Sequence, residues 1–272
     1  EHEMFRDAVR SFLKNEIAPH RDRWAEAGIV DREAYEKLGE QGMLLMWADE
    51  KYGGAGASDF RYEQILMEEN AKYGDLGFFA WLHSRLVAPY IGEFGTEEQK
   101  QKYLPKMASG EMITAIAMTE PGAGSDLQGV KTTAIRQGDH YILNGSKTFI
   151  TNGQLADLVI VVAKTDPKEG AKGTSLLLVE TAWEGFEKGQ NLNKVGMKAQ
   201  DTSELFFQDV KVPADNLLGE ENEGFKYFMM TLDGGRISIA AVALGIAVGA
   251  YEVARDYSKG REQFGRPGRV AR

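Results

Sequence analysis

Residues 117–126 read AMTEPGAGSD. Pro121 and the glycines at 122 and 124 interrupt helix and continuous strand alike, so the backbone turns here. The run ITAIAM just before it reads as a strand that ends at the turn. With almost no side-chain bulk, such a loop lets its own N–H groups approach a flat or anionic ligand, and Thr119 and Ser125 add a hydroxyl at either end. A large polar cofactor suits that arrangement. Taken alone, though, a string of this kind is more often an ordinary Gly/Pro turn.

Outward from the turn the texture changes in both directions. Residues 1–112 carry helical apolar spacing, as in MFRDAVRSFLKNEI, where Phe5, Val9, Phe12 and Leu13 recur every three or four positions. Asp31 is expected as the N-cap of a helix with Gly42 just past its end, and Thr96 to Gln99 fits a capping box. KYGGAGAS at 51–58 reads as a loop between helices. Residues 113–220 hold short β-rich runs such as LVIVVAKT and TSLLLVET, and Asn144-Gly145 is a hairpin signal. A compact β domain of six to eight strands is expected there. Residues 221–272 return to helix, with Gly245 and Gly249 four apart on a face that another helix can approach closely.

At 272 residues, 43% hydrophobic and 27% charged, the chain has the composition of a soluble globular protein. A net charge of -9 disfavours nucleic acid or an anionic membrane as the main partner. The absence of cysteine excludes disulfides, thiolate metal sites and cysteine nucleophiles. The longest apolar run, ISIAAVALGIAVGAY at 237–251, is short for a membrane span and reads as a buried helix.

No GxSxG, P-loop, HExxH or GxGxxG motif occurs, and the histidines at 2, 20, 83 and 140 lack metal-ligand spacing. Glu68 and Glu69 read as a solvated helix face, since adjacent helical residues point about 100° apart. His83 reads as a packed helix residue.

FITNG at 149–153, the stretch KVGMKAQDTSELFFQDVKVPADNLLGEENEGF at 194–225, and REQFGRP at 261–267 occur with MTEPGAGSD in one order and spacing. Together they resemble the acyl-CoA dehydrogenases over nearly the whole chain, and the first two segments are most similar to the long-chain branch. The resemblance implies an α+β chain: an N-terminal all-α domain (1–112), a middle β-barrel-like domain (113–220) and the start of a C-terminal four-helix domain (221–272). It implies FAD along the turn, contacted by Met118, Thr119, Gly124 and Ser125 and by Phe149, Ile150 and Thr151. Arg261, Gln263 and Phe264 would touch the FAD of a neighbouring subunit in a homotetramer. Ser125, Asp233 and Arg236 would flank the acyl-CoA. On residues alone, Asp233 and Arg236 read as a solvated i, i+3 pair and Phe149 as core.

The implied reaction is α,β-dehydrogenation of an acyl-CoA to the trans-2-enoyl-CoA, with electrons passed to an electron-transfer flavoprotein. An oxidase or monooxygenase on the same fold, or a non-catalytic FAD/acyl-CoA-binding protein, is the alternative. The compartment would be the cytoplasm in a bacterium and the mitochondrial matrix in a eukaryote. Two departures stand out. Gly235 occupies the position where the long-chain and isovaleryl branches carry their catalytic glutamate, and most of the C-terminal helical domain, where other branches carry it, is absent. The sequence is therefore read as a piece of a longer protein, inactive by itself. Arg85 is charged where long-chain relatives tend to be small or apolar, although a lone helical arginine most often reaches solvent.

Overall fold

The computed structural model describes residues 1–263 and 266–267, with side chains through residue 262. Helix α1 (His2–Phe12) buries Val9 and Phe12, and a π-helical turn, Leu13–Ile17, carries the same stripe on through Leu13 and Ile17. Helix α2 (Arg21–Ala27) ends at Gly28 in the left-handed region, and α3 (Glu33–Glu40) follows. Asp31 does not cap α3 with its side chain. Its carboxylate pairs with Arg23, and only its carbonyl takes the Ala34 N–H. Helix α4 (Arg61–Tyr73), a second π-helical segment (Leu82–Val87) and α5 (Ala88–Phe94) lead into α6 (Glu97–Ser109). The capping box at the start of α6 is present: Thr96 Oγ1 accepts from the Gln99 N–H at 3.2 Å, and Gln99 Oε1 from the Thr96 N–H at 3.1 Å.

Glu68 and Glu69 are not a solvated face. Glu69 is 3% exposed and accepts from Arg6 Nη1 at 2.7 Å and Arg10 Nε at 2.9 Å, while Glu68 takes Arg6 at 3.2 Å. The two arginines one turn apart on α1 meet the carboxylates across the α1–α4 contact, a partner that local periodicity does not reveal.

Strands β1 (Thr114–Ala117), β2 (Thr133–Gln137), β3 (His140–Thr151), β4 (Leu158–Lys164), β5 (Thr174–Glu180), β6 (Phe186–Asn191), β7 (Thr202–Pro213) and β8 (Leu217–Leu218) form one sheet in the order β6-β7-β3-β2-β4-β5-β8, with β1 parallel to β4. β4 is apolar from Leu158 to Ala163 because both of its faces are covered there. Leu158, Ile160 and Val162 join the core built with the N-terminal helices, and Val159, Val161 and Ala163 join a second core with Tyr141, Leu143, Leu205 and Val210. Asn144-Gly145 is not the hairpin turn. It lies inside β3, where the Asn144 side chain and Asp209 exchange two hydrogen bonds of 2.9 Å across a register shift to β7. The turn from β2 to β3 is instead made at Gly138, whose φ is 64°.

Helix α7 (Gly224–Gly260) runs 37 residues, about 55 Å. It packs on α4 through Gly245, where an added Cβ would lie 2.8 Å from Glu68 Cα, and Lys72 pairs with Glu252 at 2.5 Å. The helix is apolar enough to cross a membrane by length and composition. The expectation of a buried helix at 237–251 holds for one face only. Ser238, Ala241, Val242 and Gly245 are buried, whereas Ile237, Ile239, Leu244, Ile246, Val248 and Tyr251 are exposed.

Candidate functional site

At the end of β1, Glu120 and Ala123 exchange N–H···O=C bonds of 3.0 Å around Pro121 and Gly122, which makes the predicted turn. Asp126 closes the loop by accepting the Gln128 N–H at 3.2 Å. The Thr148 N–H donates to the Thr119 carbonyl at 2.9 Å and ties the turn to β3.

The anchor beneath the turn is a buried ion pair that local sequence does not announce. Lys147 Nζ lies 2.9 Å from Glu120 Oε1 and also donates to the Met118 carbonyl at 3.0 Å. Glu120 further accepts the Lys131 N–H at 2.6 Å and the Thr132 N–H at 3.0 Å. Burial alone would raise the Glu120 carboxyl, but the Lys147 ammonium and these donors hold it below its ordinary value. Burial pushes the Lys147 ammonium down to about 8 despite Glu120. Glu120 is thereby a structural carboxylate, its lone pairs committed to Lys147 and to the backbone.

On β3 the pairing with β7 slips by one residue between Lys147 and Ile150, a bulge that contains Phe149. Phe149 has φ of 57°, which a bulky side chain adopts at a cost, and its ring is 67% exposed. It is therefore not a core residue. The Ile150 side chain turns the other way into the β-domain core, which withdraws it from the surface that carries Phe149. Thr151 follows, half-buried. Asn152, φ 61°, donates to the Thr114 carbonyl at 3.2 Å and holds the strand end beside β1.

Thr119 and Phe149 are thus brought together, and Thr151 follows two residues along the same strand. Among the described residues the hydroxyls of Thr119, Ser125 and Thr151 make no hydrogen bond, and an added Cβ at Gly122 or Gly124 would meet nothing within 4 Å. Free donors, an open floor and an exposed aromatic ring fit a flat, polar, partly aromatic group.

The candidate residues Asp233 and Arg236 on α7 make no hydrogen bond or ion pair with the turn among the described residues. Asp233 and Arg236 form an exposed pair at 3.0 Å. Gly235 faces the π-helical segment, where an added Cβ would sit 2.8 Å from Leu86 Cδ1, the end of a flexible side chain. Arg261 ends α7, about 37 Å along the helix from Arg236, so it does not join the same cluster. Gln263 is placed by its backbone in a short antiparallel pair with Arg266, and Phe264 lies outside the described residues. His83 is a packed residue, as its setting predicts. It is fully buried, with its nitrogens 2.8 Å from Thr114 Oγ1 and 2.9 Å from the Met107 carbonyl.

The sequence matches the acyl-CoA dehydrogenase N-terminal domain over residues 1–111, the middle domain over 115–210 and the C-terminal domain over 222–269. A short-chain-specific acyl-CoA dehydrogenase from Clostridium acetobutylicum is 45% identical over 98% of this chain and 70% of its own length. The chain belongs to the acyl-CoA dehydrogenase family. The mouse mitochondrial long-chain-specific acyl-CoA dehydrogenase is 52% identical, and this family member spans 62% of that protein's length. The crystal structure of an acyl-CoA dehydrogenase from Geobacillus kaustophilus superposes with a TM-score of 0.95 at 53% identity, covering 98% of this chain and 70% of that one. The fold is thus that of the acyl-CoA dehydrogenases: helical domain, sheet domain and the first helix of a C-terminal domain.

Proposed function

We propose that this chain carries the FAD-binding and part of the acyl-CoA-binding surface of an enzyme that dehydrogenates acyl-CoA thioesters at the α,β-bond. The observation that carries the reading is the pair of Thr119 and Thr151 hydroxyls, unpartnered among the described residues, beside the strained, exposed Phe149, with the Ser125 hydroxyl unpartnered in the same turn as Thr119. FAD, when bound, takes up the hydride equivalent that leaves the β-carbon. Thr119 and Thr151 supply hydrogen-bond donors to the polar edge of the ring system, held in place by the Glu120–Lys147 anchor, so little reorganisation accompanies charge development. Phe149 covers the ring and excludes water. Ser125, with Asp233 and Arg236, flanks the CoA arm. Arg261, Gln263 and Phe264 reach the FAD of a second copy in a homotetramer, which accords with the distance of Arg261 from Arg236 along α7.

Removal of the α-proton needs a carboxylate base. Gly235 supplies none and Glu120 is committed elsewhere, so we assign the base to a glutamate outside these residues. In this reading the chain by itself binds without turning over, and the complete protein passes electrons to an electron-transfer flavoprotein. Gly235 also favours a second reading, an FAD and acyl-CoA binder without catalysis. The test is anaerobic addition of acyl-CoA to the complete FAD-loaded protein. Bleaching of the flavin absorbance with slow reoxidation in air is expected. Rapid peroxide formation would instead indicate an oxidase, flavin retention without bleaching would select the binder, and failure to retain FAD would overturn the proposal.

A further inference from the structure

The helical domain contains a buried acid and a half-buried base whose placement the contacts above do not explain. Glu63, on α4, is 3% exposed, and neither carboxylate oxygen has a hydrogen-bond partner among the described residues. Arg85, in the π-helical segment, has its Nε buried and equally unpartnered, and its guanidinium lies 5.6 Å from the Phe60 ring centroid, one turn before Glu63. The two are near enough to interact electrostatically yet form no ion pair within 4.0 Å. Burial pushes the Glu63 carboxyl up to about 7, and Arg85 offsets this only in part. Two buried carboxylate oxygens and a buried Nε–H held apart, none with a hydrogen-bond partner among the described residues, are a costly arrangement unless a third group joins them.

Their position says what that group belongs to. Leu86, next to Arg85 in the chain, is the side chain that faces Gly235 on α7. Helix α4 and the π-helical segment both pack on α7, so Glu63 and Arg85 belong to the elements that adjoin the stretch of α7 carrying Asp233 and Arg236, the stretch assigned above to the acyl-CoA. A π-helical segment here offsets the helical register, a device that recurs at functional sites.

We propose that Glu63 and Arg85 are specificity-determining residues that select an acyl chain carrying a hydroxyl on its distal part. A hydroxyl satisfies both groups at once, donating its O–H to the Glu63 carboxylate and accepting the Arg85 Nε–H. A plain hydrocarbon chain at the same place leaves both unpaired. A site built to hydrogen-bond a substrate hydroxyl rejects the analogue that lacks it for this reason. The inference rests on the acyl-CoA reading of the site, which it narrows to a substrate class.

The test compares straight-chain acyl-CoAs from butyryl to dodecanoyl with the ω-hydroxy acyl-CoA of each length. Binding is read on the FAD-loaded protein as a rise in melting temperature and a titrated dissociation constant, so that turnover is not required. At the length that reaches Glu63 and Arg85, the hydroxylated thioester is expected to bind about 10- to 100-fold more tightly. The double variant Glu63→Leu/Arg85→Met is expected to reverse the order, and Glu63→Gln/Arg85→Gln, which keeps polar groups in place, provides the comparison should the apolar pair not fold. Equal or tighter binding of hydrocarbon chains at every length overturns the assignment while leaving the acyl-CoA reading intact. Failure of every CoA thioester to bind refutes the acyl-CoA reading and this inference with it.

Discussion

Replacing Lys147 with methionine tests whether the turn is held from beneath. The substitution keeps most of the side-chain volume but removes the ammonium that lies 2.9 Å from Glu120 Oε1 and 3.0 Å from the Met118 carbonyl. Glu120, 7% exposed, is left as a buried carboxylate with only the Lys131 and Thr132 N–H groups. Stranding one member of a buried pair costs about 3–5 kcal/mol. An unfolding entropy of about 2.1 cal/mol/K per residue over 272 residues converts this to a fall in melting temperature of about 5–9 °C. Calorimetry of wild type, Lys147→Met and Glu120→Gln/Lys147→Met measures it directly. The double variant should recover more than half of the loss, since an amide needs no counter-charge. FAD retention should fall in the single variant, because the Met118 carbonyl and the Thr119 hydroxyl are set by the same anchor. A single variant that melts with the wild type, or a double variant no better than the single, would refute the argument.

Three further outcomes follow from the same geometry. His83 is held to about 4 by burial, below its ordinary 6.5, so the unfolded chain binds the extra proton and stability falls as pH drops from about 6.5 through 4, by at most about 3 kcal/mol; His83→Gln should flatten that part of a denaturation-versus-pH curve. Phe149→Gly releases the strain of a φ of 57° and should raise stability by about 1 kcal/mol while weakening FAD binding in a fluorescence titration; unchanged affinity would remove Phe149 from the site. Gly245→Leu places a side chain where a Cβ alone meets Glu68 Cα at 2.8 Å and Ala71 Cβ at 2.9 Å, so denaturant unfolding should show a loss of about 1–3 kcal/mol. A neutral result there would mean that α4 and α7 are free to part.

What was legible in the sequence was what depends on neighbours along the chain. The turn at 117–126, the capping box at Thr96, the β-rich run that became β4 and the small face of α7 at Gly245 all express local periodicity or local backbone preference. The readings that needed partners from elsewhere failed. Asn144-Gly145 has the composition of a hairpin turn, but its asparagine is matched by Asp209, 65 residues on, inside a continuous strand. Glu68 and Glu69 look solvated until Arg6 and Arg10 arrive from α1. Phe149 passes for core because a bulge against β7, not its own neighbours, turns it outward. Glu120 and Lys147 lie 27 residues apart, and nothing short of the strand register pairs them.

The distribution of unmet valence gives these differences their functional meaning. In the N-terminal domain buried charge is largely matched, as in the Arg6–Glu69 contact, and the cores on both faces of the sheet are covered. Unpartnered groups include the Thr119 and Thr151 hydroxyls beside Phe149, Glu63 with Arg85, and the outward face of α7, where Ile237, Ile239, Leu244 and Ile246 stay exposed. Each opposes folding, through backbone strain, desolvation or exposed apolar area. A chain stable by only a small margin retains such terms where something other than folding selects for them. The first two are polar and shaped to pair with donors and acceptors, which suits small molecules, and the third is broad and apolar, which suits another helix.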